Sequence, residues 1–504
     1  MSEETRSLVL GIDVGTTGTK AVAMSRGGGI VSSAYRAYPM LWPGPGRAEQ
    51  RAEDWWETLV RVVRETVAAA GPGWRVEALA LSAQGGSTVP LDGRGQALRT
   101  AIAWMDTRAG EQVERFLALH DAQSYYRRCG ARPNPMMTAA HLAWLREREP
   151  AVFREAARFA TTPDYLNLRL TGRLVIDHTA AGMTGMHNLL TGDWDASMLD
   201  IIGVRVERLA EVRPAGEELG MLTAEAAAAL GLPRTVRVFN GGHDQYCAAV
   251  GCGAVLPGEF MLSAGTAWVL LGTFAQPVWD DGGLWPGRHV APGLYGAFRS
   301  ISVGGAAMRW YQEHFGLAGQ SLAEVDTLAE ERVTKNAHTY FFPYLAGTNE
   351  LGGTGRACGA FAGLSLDSDR YDMALTVMEG VAFEAAMALD SFRQGGGPKQ
   401  LRMLGGGAKS ELWPRILAAA TGLPVLRPGI TEAAGVGAAV IAAVGLGWYP
   451  DYARAAGECG TERRMEPDPQ WREHYQEKLA RYRARIPQAQ AFRRDEERES
   501  GGRG

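Results

Sequence analysis

A chain of 504 residues is too long for one hydrophobic core, and at roughly 100–200 residues per domain two to four domains are expected. Hydrophobic residues at 46% and charged residues at 21% exclude extended disorder, while 52 Lys and Arg against 56 Asp and Glu leave a net charge of −4. A field that weak holds neither nucleic acid nor an anionic membrane by itself, and the 64 glycines lack the Gly-X-Y period of collagen.

The start, MSEETRSLVLGID, reads as neither a secretory signal nor a transit peptide. Leu8 to Val14 is a short apolar strand, Gly15-Thr16-Thr17-Gly18 a turn, and Lys20 to Met24 a second strand, so a hairpin is predicted. A helix follows over Trp55 to Ala70, with Asp54 as N-cap and Gly71-Pro72-Gly73 as its stop. Val76 to Ser82 is a strand that runs into Gln84-Gly85-Gly86-Ser87. Residues 109–160 read as helices broken at Pro133 and Pro135, and Thr223 to Leu230 as a helix closed by Gly231.

The opening pattern then recurs. Val236 to Phe239 ends in Gly241-Gly242-His243-Asp244, and Glu259 to Ser263, Ala264-Gly265-Thr266 and Trp268 to Leu271 repeat strand, Gly-Thr turn and strand. Two similar halves are expected, with a boundary near 245–258 at Pro257-Gly258. The assignment is residues 1–250, residues 251–485, and a charged, frayed tail over 486–504. Leu401 to Leu404 is a strand, and Gly405-Gly406-Gly407 opens a helix over Glu411 to Ala420. The longest apolar run, Val436 to Leu446, is about half the ~20 residues of a membrane span and reads as a buried helix. Five cysteines, Cys129, Cys247, Cys252, Cys358 and Cys459, form no C-x-x-C pair, so a reducing cytoplasm is the expected compartment.

Chemistry is concentrated in the turns. In Asp13-x-Gly15-Thr16-Thr17-x-x-Lys20, successive backbone N–H groups and threonine hydroxyls suit phosphate oxygens, Lys20 adds charge, and Asp13 suits Mg²⁺ held through water. An ordinary hairpin with a turn glycine would read the same way. Gly265 and Thr266 make a second such turn, and two turns facing each other across a cleft could grip a triphosphate. Gly406 and Gly407 would let a flat base approach the backbone. The run to Ser410 lacks the glycine before lysine that a Walker P-loop requires, and no complete G-x-G-x-x-G appears. Asp244 could take a proton from a substrate hydroxyl. His243 beside it is expected to face the opposite way, as strand neighbours do. Gln84, Asp106, Arg127 and Gln245 are the sugar-contact candidates, with Trp104 and Arg108 near them in sequence.

The chain resembles the FGGY family of carbohydrate kinases, nearest to the xylulokinases, from about residue 8 to residue 450. The first half carries GIDVGTTGTK, GRAEQRAEDWW at 46–56, AIAWMDTR at 101–108, PDYLNLRLTG at 163–172 and GGHDQ at 241–245. The second carries LSAGT at 262–266, FFPYLAGTNE at 341–350, GAFAGLSLDSDRYDMALTVMEGVAFE at 359–384 and LGGGAKSELWPRILAAATGLPV at 404–425. The resemblance implies an α/β, two-domain actin-like (ribonuclease H-like) ATPase fold with its active site in the interdomain cleft. It implies Asp244 as catalytic base, Asp13 as the Mg²⁺-associated aspartate, and Thr16, Thr17 and Lys20 as the first phosphate loop. Thr266 falls in the second loop, and Gly305 and Gly407 at nucleotide contacts. The implied reaction moves the γ-phosphoryl of ATP to a hydroxyl of a small sugar, polyol or sugar acid, D-xylulose being the leading expectation; whether the chain acts as a homodimer stays open. Departures bear on the substrate: Gly86 stands where xylulokinases have histidine, Gly347-Thr348-Asn349 where the family has Gly-Glu-Arg, and His141 where it has lysine.

Overall fold

The computed structural model describes residues 6–280, 283–301, 303–347, 357–458 and 462–500; Thr348, Asn349 and Cys459 lie outside them. Two sheets are built from one plan. The first holds β1 (Arg6–Val14), β2 (Gly18–Ser25), β3 (Ile30–Ala37), β4 (Trp74–Ala83), β5 (Glu218–Met221) and β6 (Arg237–His243) in the order β5-β6-β4-β1-β2-β3. The second holds β7 (Glu259–Ala264), β8 (Trp268–Phe274), β9 (Trp285–Arg288), β10 (Tyr295–Ile301), β11 (Gln400–Leu404), β12 (Val425–Pro428) and β13 (Glu462–Met465), in the order β9-β10-β8-β7-β11-β12-β13. The β1–β2 and β7–β8 hairpins are antiparallel, and each first strand pairs in parallel with β4 or β11. Strand β9 is the one addition to the shared plan. Both predicted hairpins are present.

Central strands read as unbroken apolar runs because both of their faces are covered. Leu8, Leu10 and Ile12 pack beneath Trp55, Leu59 and Val62 of α1 (Ala52–Ala70), whereas Val9, Val22 and Ala78 point the other way. On the second sheet Phe260, Leu262 and Leu270 join a core with residues of α4 (Arg370–Ala388) and α5 (Trp413–Thr421), while Met261 and Leu271 face opposite. The two opposite faces share one core, filled by α2 (Asp244–Gly251) and α6 (Ala433–Gly445). Each of these helices follows the equivalent strand of its own sheet, β6 or β12. They cross so closely that a Cβ on Gly251 would stand 2.0 Å from the Ala433 carbonyl oxygen, and one on Gly437 1.8 Å from that of Cys247. Helix α6 also packs on β1, β2, β4 and β6, so this stretch of the second half is core for the first sheet. No helix among the described residues is long and apolar enough to cross a membrane.

Several boundaries differ from expectation. Helix α1 starts at Ala52, with Asp54 in its first turn, where an acidic charge suits the helix N-terminus. After Gly405 comes a short 3₁₀ turn, Gly406–Lys409, and α5 begins only at Trp413 with Pro414 next to it, a residue at home in a first turn. Residues 486–500 of the expected frayed tail continue a long helix, α7 (Pro469–Ser500), and residues 501–504 lie outside the described residues. Tyr475 and Tyr482 are buried in the second core, Ala489 is 3% exposed, and the fully buried Lys478 pairs with Glu379 of α4 at 2.6 Å.

Candidate active site

Both Gly-Thr turns open on the gap between the sheets. A cavity of about 730 Å³ there is lined by Thr16, Gln84 and Asp244 from the first lobe and by Ala267, Phe298 and Glu384 from the second. In the first turn the Gly15 N–H donates to the Gly18 carbonyl at 3.0 Å, the Tyr38 hydroxyl donates to the Gly15 carbonyl, and the Tyr38 N–H donates to that of Thr17. The Trp104 indole donates to Thr16 Oγ1 at 3.0 Å, which leaves the threonine O–H to donate outward. Thr17 is exposed at the tip.

Asp13, at the end of β1, accepts from Ser82 Oγ at 2.7 Å. Burial first, then the negative charges of Asp244 and Glu432, raise its carboxyl to about 7, against the opposing pull of Ser82 and Lys20. Lys20, expected to add charge near phosphates, pairs with Glu432 at 2.5 Å, which ties β2 to the start of α6. Asp13 thus feels two negative neighbours, Asp244 and Glu432, and one lysine already paired, a field that a divalent cation would relieve. Among the described residues no three metal-ligating side chains make a closed cage. That suits an ion that keeps most of its water and takes phosphate oxygens.

In the second turn the Gly265 carbonyl accepts from the Gly305 N–H at 2.9 Å and the Thr266 carbonyl from Gly304 and Ala306, which fastens α3 (Gly305–His314) to the turn. A Cβ on Gly305 would meet the Gly265 carbonyl oxygen at 2.6 Å, and Gly405, at φ +87°, would bring one within 2.9 Å of that of Ala264. Gly407 lies against Trp268, whose buried indole N–H has no partner. Gly265, Gly305 and Gly405 thus come together backbone to backbone, with the buried Trp268 ring packed against Gly304 and Gly407.

Asp244 is the first residue of α2, so its carboxylate stands at a helix N-terminus. His243 does not turn away as expected. The strand ends at His243, the alternation stops there, and both side chains line the cavity, with His243 Nε2 3.3 Å from Asp244 Oδ1. Burial pushes the imidazole below its usual range, so it is neutral. Gln84 and Gln245 also line the cavity. Gln84 donates to Gln50 Oε1 at 2.8 Å, and Gln50 donates to the Thr16 carbonyl at 2.7 Å.

Two expected sugar contacts are corrected. Asp106 is fully buried outside the cavity, where its carboxylate accepts from the Ala48 N–H and from the Arg108 N–H and guanidinium. Burial alone would raise this carboxyl, but those bonds hold it below the usual range. Its hydrogen-bonding capacity is spent. Arg127 is exposed and stacks 5.3 Å from the Trp279 ring centroid, joining the lobes beside the cavity without lining it. His141 is equally structural: fully buried, it meets Thr88 Oγ1 at 3.0 Å, and burial takes it down to about 4. Gly86 has φ +78°, and an added Cβ would stand 3.3 Å from Trp104 Cβ, closer than ordinary contact. Gln50, Arg299, Glu384 and Glu432 escaped the sequence reading. Gln50 sits inside GRAEQRAEDWW and Glu384 closes GAFAGLSLDSDRYDMALTVMEGVAFE, so both could have been suspected, whereas no local signal marks Arg299 or Glu432.

Two sheets of like topology, joined through paired helices and bearing a Gly-Thr turn on either side of a cleft, define an enzyme of the actin-like ATPase fold. Comparison with known proteins gives the particular family. Residues 8–251 match the N-terminal domain of the FGGY family of carbohydrate kinases, and residues 260–446 match its C-terminal domain. A glycerol kinase from Citrifermentans bemidjiense is 31% identical over 477 residues, covering 91% of this chain and 94% of that protein. A solved xylulose kinase from Rhodospirillum rubrum superposes with TM-score 0.90 at 28% identity over 96% of this chain and 99% of its own. A gluconate kinase from Lactobacillus acidophilus gives 0.89 at 25% over 96% and 98%. The chain belongs to the FGGY family of carbohydrate kinases and is a phosphotransferase.

Proposed function

We propose that the chain transfers the γ-phosphoryl group of ATP to a hydroxyl of a small sugar or polyol, with D-xylulose the first substrate to test. The observation that carries this reading is Asp244, set at a helix N-terminus in one cavity with the first Gly-Thr turn and the residue that follows Thr266. Asp244 accepts the proton of the attacking hydroxyl or orients it, and neutral His243 beside it carries no competing charge. Thr16, with its O–H free to donate, and the backbone of the Gly265–Thr266 turn hold the phosphates, while Gly305, Gly406 and Gly407 admit the base. Asp13 would hold Mg²⁺, which when bound offsets the charge on the transferring phosphoryl group. Gln84 and Gln245 orient the acceptor, and closure of the two lobes keeps water from the nucleotide. Glycerol, erythritol, ribulose, a deoxysugar and gluconate are the other acceptors that relatives and family likeness leave in view.

The test is Asp244→Ala. Sugar-dependent ADP release should fall at least about 100-fold, the lower bound for a lost general base, while ADP binding by calorimetry stays within a few-fold. Wild-type turnover in that variant removes the assignment.

A further inference from the structure

We propose that this kinase selects uncharged polyhydroxyl acceptors, ketoses or polyols, over sugar acids of the same carbon number, and that Gln84 is a specificity-determining acceptor for a substrate hydroxyl. The inference rests on the kinase reading above and narrows it.

Charge comes first. Among the described lining residues the single cation is Arg299, whose guanidinium is bonded to Ser391 Oγ and lies 3.7 Å from an Asp280 carboxylate oxygen. Negative charge is plentiful by contrast. Asp244 and Glu384 line the cavity, and Asp13, close enough to feel the charges of Asp244 and Glu432, lies nearby, with Lys20 paired to Glu432. Glu384 accepts from the hydroxyls of Tyr344 and Tyr482, which hold it in place. A substrate carboxylate entering here would be desolvated beside like charges without a free cation, and that is costly.

Hydrogen-bond polarity points the same way. The Trp55 indole can only donate, and it donates to Gln50 Oε1 at 3.3 Å; the Thr16 carbonyl can only accept, and it takes the Gln50 amide N–H. Both ends of Gln50 are thereby assigned. Gln84 must then present its own N–H to Gln50 Oε1, and its Oε1, buried and without a partner, is left as an acceptor in the cavity wall. Asp244 Oδ1 is likewise buried, with only His243 Nε2, at 3.3 Å, beside it among the described residues. Fixed acceptors call for donors, and a sugar hydroxyl is a donor where a carboxylate is not. The wall around them is apolar: Met183 and Met136 flank Gly85 and Gly86, and the rings of His243, Phe298 and Trp285 lie in near-parallel succession. Such a surface suits the C–H faces of a neutral sugar.

The test compares kcat/KM of the full chain, at fixed ATP and Mg²⁺, for D-xylulose, D-ribulose, erythritol and glycerol against D-xylonate and D-gluconate. The best neutral acceptor should exceed the best aldonate at least 100-fold. Gln84→Leu should lower kcat/KM for that acceptor at least tenfold with ADP affinity within twofold of wild type. Gln84→Asn, which withdraws the amide by one methylene, should do the same should the leucine variant fail to fold. An aldonate within tenfold of the best neutral acceptor overturns the inference and leaves the kinase reading standing. Unchanged kcat/KM in the folded Gln84 variants removes the role given to that side chain. Failure of wild type to phosphorylate either class defeats both readings.

Discussion

Replacing Gly437 by Ala probes how the fold carries Asp244, the proposed base. The new Cβ would lie 1.8 Å from the Cys247 carbonyl oxygen, 2.6 Å from its carbon and 3.0 Å from the Gly251 nitrogen, all backbone atoms of α2. Restoring ordinary contact requires the helices to part by about 1.6 Å, since neither backbone can rotate away. Overpacking of this kind costs about 1–3 kcal/mol, and the upper end applies to backbone against backbone. Alanine returns about 1 kcal/mol through its helix propensity, so a net loss of about 2 kcal/mol is expected. The displaced helix begins with Asp244, so kcat/KM should also fall in the fraction that stays folded. Gly435→Ala on the same helix is the comparison, because its Cβ would first meet only the end of the Val22 side chain, at 3.0 Å. Denaturant unfolding followed by circular dichroism, with sugar-dependent ADP release, measures both effects. A Gly437→Ala protein as stable and active as wild type, or a Gly435→Ala protein equally damaged, would refute the close crossing as the element that sets Asp244.

The buried Asp164, 1% exposed and raised by burial to about 7, remains protonated in the folded chain while the unfolded chain ionises near 3.8. Its stabilising contribution is therefore complete below about pH 4 and lost as pH climbs to 7, by up to about 4 kcal/mol. The stability gap between wild type and Asp164→Asn should shrink over that interval, and parallel pH curves would contradict it. Lys478→Met strands Glu379 as an unpaired buried charge and should cost about 3–5 kcal/mol in denaturant unfolding. Adding Glu379→Gln should recover most of that loss, whereas additive losses would show that the pair is not the cause.

Legibility in the sequence followed how local each determinant is. Both Gly-Thr turns could be read because a Gly-Thr pair between two apolar runs is a contiguous signal. Asp244 could be read from GGHDQ. The orientation of His243 could not, since it depends on the strand ending one residue before a helix that the pattern did not announce. Asp106 misled because its partners are the Ala48 N–H, far off in the chain, and Arg108, and sequence does not reveal that a carboxylate is already saturated. Glu432 pairs with Lys20 only because α6 returns to the first sheet. Helix α7 went unread beneath its dense charges, where widely spaced tyrosines carry the packing.

The last of these helices lies wholly beyond residue 446, where the family match stops, and yet Ile486 forms part of the cavity wall and Tyr482 steadies Glu384. Cutting the protein behind its final signature would spare every recognised motif and still breach the reaction chamber. The chain needed to close this cavity is therefore longer than the stretch that the two family domains cover.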